Sequence, residues 1–394
     1  MFILFPQNKT HTETTLEDQH TNKNILFLTG TRADFGKIKS LIEAVETAPN
    51  LTPYVFVTGM HLQHTYGYTL VEIERCQFSN LHTFENHTHE TTMDLTLAKT
   101  ITGLSDYVKT CKPDMIVIHG DRVEALAGAI VGSLNNILVA HIEGGEVSGT
   151  IDELLRHATS KMSHVHFVSN AEAKRRLIQM GELEQAIFEI GSPDVDIMFS
   201  SHLPHLDTVK TYYDIPFDDY AVLMFHPVTT EFKDMETYAQ HLVDALLTDT
   251  HNYVVIFPNN DLGSADILKV YKVLQGHSRF KVFPSLRFEY FLTLLKHAQF
   301  VIGNSSAGVR EAPYYGVPVI NIGTRQQNRV SYSDIINVDY TQMAITTALR
   351  DIDSAPRQDV AAQFGSGNSA QLFMECLNRA ALWELNHQKQ FRDL

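Results

Sequence analysis

The sequence has few cysteines and lacks a long uninterrupted hydrophobic run. Its three cysteines, Cys76, Cys111 and Cys376, are widely spaced and form no CxxC pair, so no disulfide framework is expected. No apolar run reaches the roughly 18–20 residues that span a bilayer. The apolar start MFILFP lacks the basic segment and the cleavage site of a signal peptide. We therefore expect a cytoplasmic protein with reduced thiols and no membrane partner.

Basic residues are also scarce. Lys and Arg number 31 against 46 Asp and Glu, which gives a formal net charge of −15. Binding of a nucleic-acid backbone needs clustered cations, so no nucleic-acid partner is expected. A phosphate ligand would have to be held by a few local cations and by helix N-termini. The segment His87-Thr88-His89-Glu90 has no companion ligands at matching spacing, so we expect no metal and no cofactor.

The 394 residues suggest two or three domains. From Ile25 onward, short β-branched runs alternate with amphipathic stretches, which is typical of βαβ units on a parallel sheet. The alternation restarts after His202-Leu203-Pro204. We predict an α/β fold with two doubly wound Rossmann-like domains that face a cleft. The predicted divisions are a polar, disordered N-terminal extension, two domains and a C-terminal helix that packs back on the first domain: 1–24, 25–200, 201–368 and 369–394.

Ligands in such folds bind beyond the carboxyl ends of the strands, where the conspicuous motifs of this chain lie. The first is TGTRADFGK, residues 29–37, between a strand and a helix. Its glycines, Gly30 and Gly36, allow close backbone approach, and Arg32 and Lys37 can meet phosphate oxygens. The alternative is an ordinary strand-to-helix turn with solvated charges.

Three carboxylates, Asp121, Glu143 and Asp152, lie at or just beyond strand ends of the first domain. Converging carboxylates suit a reaction that removes a carbon-bound proton and later delivers one. Each also has a structural alternative. Asp121 could cap a helix together with Glu124, Glu143 could be a paired buried carboxylate, and Asp152 could pair with Arg156 across one helical turn.

Two further motifs lie in the second half of the chain. His226 ends a strand that Pro227 interrupts, so its ring is expected to face the cleft, although a structural histidine is the alternative. In GNSSAGVREAP, Ser305 and Ser306 enter a predicted helix and could offer amides and hydroxyls to a phosphate. Glu311, one turn farther in, could accept hydrogen bonds from ribose hydroxyls. The alternative is a serine-capped surface helix.

With these residues in place, the chain resembles the hydrolysing UDP-N-acetylglucosamine 2-epimerases of bacterial sialic acid biosynthesis. The resemblance extends from Ile25 to the C-terminus. It rests on motifs in family order and spacing: TGTRADFGK, TGMH, IHGDR, HIEGGEVSGT, GSPD, FHPVTTE, PNND, PSLRFEYF and GNSSAGVREAP.

The resemblance implies a glycosyltransferase-B-like fold and an enzyme that takes a UDP-linked N-acetylamino sugar without metal or redox cofactor. Asp121, Glu143 and Asp152 match the acid and base carboxylates of the family. The other matching positions bind substrate: Arg32, Lys37, His226, Ser305, Ser306, Arg310 and Glu311. The implied reaction is anti elimination of UDP to a glycal, followed by syn hydration. A homo-oligomer, dimer or tetramer, is expected.

Alternatives remain at this stage. The non-hydrolysing epimerases usually have TGQH and HVEAGLR where this chain has TGMH and HIEGGEV, which disfavours a reversible epimerase. The hydrolysing UDP-N,N'-diacetylbacillosamine 2-epimerase of legionaminic acid synthesis shares nearly all the motifs. A glycosyltransferase of the same fold is a more distant alternative, as is a silent nucleotide-sugar sensor. The sequence does not reveal the substituent at carbon 4 of the sugar or which carboxylate is the base.

Overall fold

The computed structural model describes residues 22–87, 92–148, 151–326, 335–352, 357, 363–389 and 392. Most of the predicted extension over residues 1–24 lies outside these ranges. Across the described ranges, the helices are all too short or too polar to cross a membrane.

The first domain contains a seven-stranded parallel sheet with strand order β3-β2-β1-β4-β5-β6-β7. Its strands are buried and rich in Val, Ile, Leu and Phe, because helices cover both faces of a parallel sheet. The strands are β1 Lys23–Thr29, β2 Leu51–Val57, β3 Leu81–Thr83, β4 Met115–His119, β5 Leu138–Ile142, β6 Val165–Val168 and β7 Ile187–Glu189. The helices are α1 Arg32–Glu46, α2 Leu70–Glu74, α3 Met93–Cys111, α4 Val123–Leu134, α5 Ile151–Met162 and α6 Ala171–Gln179.

The second domain contains a six-stranded parallel sheet with order β10-β9-β8-β11-β12-β13. Its strands are β8 Ala221–Met224, β9 Tyr253–Ile256, β10 Phe280–Phe283, β11 Val301–Gly303, β12 Val319–Ile322 and β13 Ile335–Val338. The helices that connect or follow the two sheets are α7 Pro193–Met198, α8 Leu206–Tyr212, α9 Met235–Thr248, α10 Ser264–Tyr271, α11 Phe288–His297, α12 Gln342–Ile352, α13 Ser369–Leu377 and α14 Ala380–Trp383. The prediction of two doubly wound α/β sheets is confirmed.

Both sheets reverse their strand order at one point, between β1 and β4 in the first and between β8 and β11 in the second. At such a point, the connections that follow the two neighbouring strands run to opposite faces of the sheet. A crevice forms between these two connections. The loops after these strands carry the motifs Thr29–Lys37 and Ile118–Arg122 in the first domain, and Phe225–Glu231 and Gly303–Pro313 in the second. Strand topology therefore brings the motifs from both domains to one cleft.

The C-terminal segment differs from the single helix predicted over residues 369–394. It forms two helices, α13 and α14, separated at Asn378 and Arg379, and Arg379 has an extended backbone. The Trp383 indole N–H donates to the carbonyl of Leu377 at 2.8 Å, which folds α14 back against the end of α13. Helical periodicity does not mark a single extended residue. Phe373 of α13 packs on Phe167 of β6, with ring centroids 4.9 Å apart, so this segment contacts the first-domain core.

Helices α1 and α2 of the first domain contact the start of α11 in the second domain. Lys39 pairs with Glu289 of α11, and the Arg287 Nε lies 3.1 Å from a carboxylate oxygen of Glu72. Gly36 packs directly against the ring of Phe288. The close approach allowed by Gly36 thus serves domain packing rather than contact with a ligand.

Candidate active site

The cleft between the two sheets is about 1170 Å³ in volume, including the part open to solvent. Nine of the ten predicted site residues line it, and Glu311 does not. The lining residues are Arg32, Lys37, Asp121, Glu143, Asp152, His226, Ser305, Ser306 and Arg310. A cleft into which charged groups converge from several strand ends is typical of a small-molecule site.

The loop from β1 to α1 orients the two predicted cations of the first domain. Thr31 and Asp34 form a reciprocal capping box, in which Thr31 accepts a hydrogen bond from the Asp34 amide and Asp34 accepts one from the Thr31 amide. Arg32 lines the cleft and donates to the Leu286 carbonyl of the second domain. Burial lowers the pKa of Arg32 to about 10. The guanidinium remains positively charged at neutral pH and faces the cleft.

Glu143 follows β5 with an unusual backbone conformation. Its φ is +63°, in the left-handed region that glycine and asparagine usually occupy, and its side chain is buried. The carboxylate accepts from Arg310 at 2.5 Å, lies 3.4 Å from the Lys37 Nζ, and contacts the His119 Nε2 at 3.1 Å. Such strain in a non-glycine residue persists only where the surroundings hold it, and it concentrates at functional sites.

Glu143 belongs to a buried charge cluster that spans the domain interface. We define this cluster as Lys37, Glu143, Glu146, Asp194, Arg310 and Glu311. Lys37 contacts Asp194 at 2.5 Å, and Arg310 also pairs with Glu146 and donates to the Ser192 Oγ at 2.7 Å. The cluster holds two cations, one from each domain, and four carboxyl groups. The carboxyl groups therefore outnumber the cations.

Charge pairing sets the protonation of this cluster. Burial alone would raise the pKa of Glu143, but Arg310 and Lys37 hold it well below its ordinary value. Burial alone would lower the pKa of Lys37, but the surrounding carboxylates, with Asp194 the strongest, raise it. Burial raises the pKa of Glu311 above its usual range despite Lys37. Glu143 is therefore ionised in this state, whereas burial shifts Glu311 toward its protonated form.

Asp121 does not cap the following helix. The N-cap of α4 is Arg122, and no side chain makes a cap hydrogen bond there. Asp121 instead pairs with Arg156, which is 1% exposed and also donates to the Glu143 carbonyl at 3.1 Å. The helix-cap alternative for Asp121 is therefore wrong, and the residue faces the cleft beside a buried guanidinium.

Asp152 lies in the first turn of α5 and faces the second domain. Its carboxylate is 3.4 Å from the Arg325 guanidinium, whereas Arg156, its predicted partner, pairs with Asp121. The sequence also predicts that Thr150 forms a capping box with Glu153 at the start of α5, but Thr150 lies outside the described residues. Glu153 accepts a hydrogen bond from the Ser148 amide at 2.9 Å. Asp152 is thus one side of an ion pair that crosses the cleft.

His226 lines the cleft and has a defined orientation. Its Nδ1 accepts from the Asn259 amide at 3.0 Å, and its own amide donates to the Asn304 Oδ1 at 2.6 Å. Burial lowers the pKa of His226 well below its ordinary value, and the Arg325 guanidinium lowers it further. Because Nδ1 is an acceptor, the neutral ring carries its proton on Nε2, which is then available as a donor.

The segment after β11 is not the helix that the sequence predicts. It forms two short 3₁₀ turns, Ser306–Gly308 and Ala312–Tyr315, and Pro313 occupies the start of the second. Ser305 caps the first turn by accepting from the Ala307 amide at 3.3 Å. The expected dipole of a long helix is therefore missing at this position. Ser305, Ser306 and Arg310 still reach the cleft, but Glu311 is buried behind Lys37, 3.8 Å from its Nζ.

Sequence reasoning missed several residues that organise the site. Asp194 and Glu146 anchor Lys37 and Arg310, His119 contacts Glu143, and Arg325 contacts Asp152. Three of them lie in motifs already singled out: Asp194 in GSPD, Glu146 as the second glutamate of HIEGGE, and His119 in IHGDR. For Asp194 and Glu146, the sequence did contain a signal. Each is an acidic residue within an otherwise apolar or glycine-rich motif at the end of a strand.

In the histidine-rich segment, the described residue His87 contacts other groups of the chain. The His87 Nδ1 contacts the Gln63 side chain at 2.6 Å, and its Nε2 contacts the Gly59 carbonyl at 3.0 Å. His89 and Glu90 lie outside the described residues. Where side chains are described, His, Cys, Asp and Glu do not gather in groups of three that could hold a metal ion.

A family model for UDP-N-acetylglucosamine 2-epimerase matches residues 43–378. The UDP-N-acetylglucosamine 2-epimerase of Neisseria meningitidis serogroup B is 48% identical over 94% of this chain and 99% of its own length. The hydrolysing UDP-N,N'-diacetylbacillosamine 2-epimerase of Legionella pneumophila is 32% identical over 91% and 97%. The Escherichia coli polysialic acid biosynthesis protein P7 is 33% identical over 83% and 85%.

Solved structures give the same fold at lower identity. The Methanocaldococcus jannaschii UDP-GlcNAc 2-epimerase in complex with UDP-GlcNAc and UDP has a TM-score of 0.78 at 22% identity, over 90% of this chain and 99% of that one. A Neisseria meningitidis UDP-GlcNAc 2-epimerase bound to UDP-GlcNAc has a TM-score of 0.74 at 18% identity, with the same coverage. These likenesses establish the two-domain architecture.

Proposed function

The chain belongs to the UDP-N-acetylglucosamine 2-epimerase family, and on this premise we propose that it hydrolyses UDP-N-acetylglucosamine with inversion at carbon 2. The products are UDP and free N-acetylmannosamine, which feeds sialic acid synthesis. The observation that carries the proposal is the convergence of three carboxylates, Asp121, Glu143 and Asp152, on one cleft with cations from both domains.

The first half-reaction is an elimination. A carboxylate takes the proton from carbon 2, the bond from carbon 1 to the UDP oxygen breaks, and a glycal remains in the cleft. Lys37, Arg310 and Arg32 are the cations that would meet the departing diphosphate. Preorganised charges of this kind often supply the largest catalytic contribution. The second half-reaction adds water, with hydroxyl to carbon 1 and a proton to carbon 2.

Ligand binding can change the basicity of Glu143. In the free protein, Arg310 and Lys37 hold the pKa of Glu143 down, which makes it a weak base. A diphosphate that draws these two cations toward itself would weaken their contacts with Glu143 and raise its pKa. The carboxylate would thus become a stronger base only when substrate is bound.

Glu311 fits the proposed role of ribose ligand through one unsatisfied atom. Its Oε2 is buried and has no hydrogen-bond donor among the described residues. A buried acceptor without a donor costs free energy that a ligand hydroxyl could recover. Because Glu311 does not line the cleft in this state, the ribose would reach it only after Lys37 or the 3₁₀ segment shifts.

The second candidate is a hydrolysing epimerase for UDP-N,N'-diacetylbacillosamine. It is favoured by the Legionella pneumophila relative, which covers nearly the same length at 32% identity. The 48% identity to the Neisseria meningitidis enzyme favours UDP-N-acetylglucosamine. We also propose that the enzyme is cytoplasmic, because its substrate is a nucleotide sugar. The proposed assembly is a homodimer or homotetramer, which light scattering on the purified chain would test.

Turnover in deuterium oxide tests the reaction. We expect free N-acetylmannosamine with one deuterium on carbon 2, because elimination removes that hydrogen and hydration replaces it from solvent. Proton and carbon NMR of products from both candidate substrates identify the sugar. Retention of the original hydrogen at carbon 2 would exclude elimination, and release of UDP-N-acetylmannosamine would indicate a non-hydrolysing epimerase.

A further inference from the structure

The segment after α14 returns to the first domain at the end of the cleft-lining helix α5. The His387 Nδ1 donates to the Asn136 carbonyl at 2.7 Å, and the His164 Nε2 donates to the His387 carbonyl at 2.8 Å. These contacts bring Lys389 to the C-terminal end of α5, on the far side of the helix from the cleft.

Lys389 makes four polar contacts there. Its Nζ donates to the carbonyls of Ser163 at 2.7 Å, Lys161 at 2.9 Å and Ser160 at 3.4 Å, and it pairs with Glu182 at 2.5 Å. The last carbonyls of a helix lack partners within the helix, and the helix dipole makes that end partly negative. A lysine ammonium is a suitable cap because it supplies donors and positive charge together.

The helix that Lys389 caps carries or supports the catalytic groups of the first domain. Asp152 lies in its first turn, and Arg156 contacts both Asp121 and the Glu143 carbonyl. In its last turn, the Ser160 Oγ contacts the His141 Nδ1 at 3.0 Å. The His141 Nε2 donates in turn to the carbonyl of Gly120 at 2.7 Å, the residue before Asp121. A shift of α5 along its axis would therefore move all three proposed catalytic carboxylates relative to the second domain.

We infer that Lys389 is a positioning residue for the proposed reaction, and that it acts by anchoring the C-terminal end of α5 so that Asp152, Arg156 and Asp121 keep their places in the cleft. The inference rests on the proposed function for the identity of the catalytic groups. Lys389 touches neither the cleft nor the reacting atoms, so its removal should slow turnover without loosening the second-domain nucleotide contacts.

Substitution of Lys389 separates this role from a general structural one. Lys389→Met keeps the apolar stem and removes the donors, and we expect kcat to fall about tenfold, because displacements well below 1 Å already weaken catalysis measurably. The dissociation constant and stoichiometry of UDP, from calorimetry, should stay within about twofold of wild type. Lys389→Arg keeps a charged donor group and should restore most of kcat.

Lys161→Met is the matched control. Lys161 pairs with the same Glu182 at 2.9 Å and donates to the Met180 carbonyl, but it does not contact the α5 carbonyls. It should keep wild-type kcat. An equal loss in Lys161→Met would assign the effect to the charge of Glu182 and overturn the inference.

An unchanged kcat in folded Lys389→Met would also overturn it, as would a loss of kcat matched by a loss of UDP-binding stoichiometry. If Lys389→Met does not fold, Lys389→Gln takes its place, because glutamine retains part of the donor capacity. We expect this variant to have an intermediate kcat. A wild-type kcat in Lys389→Gln would also overturn the inference. The product of the wild-type enzyme is identified first. If the proposed function is wrong, the product assay of the wild-type enzyme shows it. If only the inference is wrong, the ratio of the variant kcat to the wild-type kcat shows it.

Discussion

At the scale of single residues, the sequence located the charged groups of the cleft but not their partners. Asp121 and Glu143 follow strands β4 and β5, Asp152 lies in the first turn of α5, and all three line the cleft. Their partners Arg156, Arg310 and Arg325 come from other helices or from the other domain, at large sequence separations. Residue patterns within one motif carry no information about such pairs. The same limit explains why Asp121 could be mistaken for a helix cap.

Asp121→Asn tests whether this residue moves protons. We expect kcat to fall by about 100-fold or more, since proton transfer by a positioned group contributes roughly that amount. The variant should remain folded because α4 loses no side-chain cap. A modest decrease in melting temperature is expected, since the buried Arg156 loses its charged partner.

Asp114→Asn is the control for this measurement. Asp114 also pairs with a cation, Lys23 at 2.9 Å, but it lies before β4, at the opposite end of that strand from the cleft. It should keep wild-type kcat and show only a stability change. An Asp121→Asn enzyme that is destabilised yet fully active would assign Asp121 a structural role.

At the scale of elements, strands and most helices followed from hydrophobic pattern and turn residues, while the short elements did not. The sequence predicted a helix after β11, but Pro313 and the small residues before it give two 3₁₀ turns. The helix predicted over residues 369–394 is divided at Asn378 and Arg379. Intrinsic propensity is too weak to reveal where such short elements begin and end.

Helix α1 offers a test of how domain packing supports the site. A Cβ at Gly36 would lie 2.8 Å from the Phe288 ring of α11, so the ring or the helix that carries it would have to shift away from α1. Alanine also favours the helix over glycine. We therefore expect Gly36→Ala to fold normally but to lose about tenfold in kcat/KM, because the contacts of Lys37 and Arg310 with the shared carboxylate of Glu143 would be displaced.

The double variant Gly36→Ala/Phe288→Leu is the control, since a smaller side chain at position 288 makes room for the added methyl. It should recover much of the lost kcat/KM. Lack of recovery, with both variants folded, would mean that the helix itself rather than the domain contact is sensitive at Gly36.

At the scale of the whole molecule, the protein has a net charge of −15 although its proposed substrate is also an anion. The local charges of the site overcome this repulsion. Cations from both domains meet at the switch points of two sheets, and the excess carboxylates of the buried charge cluster hold them in place. Composition predicted that the protein has no nucleic-acid surface, and strand alternation predicted both sheets. Neither could reveal that the cluster spans the domains, because that depends on how the two sheets face each other.

Burial of neutral histidines should make the first domain sensitive to acid. His141 is fully buried, and burial lowers its pKa to about 3. In the unfolded chain the ring titrates near pH 6.5. As the pH falls below that value, the His141 ring binds a proton in the unfolded state but stays neutral in the folded state. The stability is therefore fully present above about pH 6.5 and declines by about 1.4 kcal/mol per pH unit until about pH 3.

Comparison of wild type with His141→Gln isolates this contribution. Trp383, the single tryptophan of the chain, packs against the first-domain core, so its fluorescence reports unfolding of that domain in urea. Between about pH 6 and 5, the free energy of unfolding of wild type should fall more steeply than that of the variant, by about 1.4 kcal/mol per pH unit. Glu143, whose lowered pKa gives stability that is lost only below about pH 4.5, does not contribute in this window. Parallel slopes for the two proteins would show that His141 takes up its proton in the folded state, and that its bridge between Gly120 and Ser160 tolerates a charged ring.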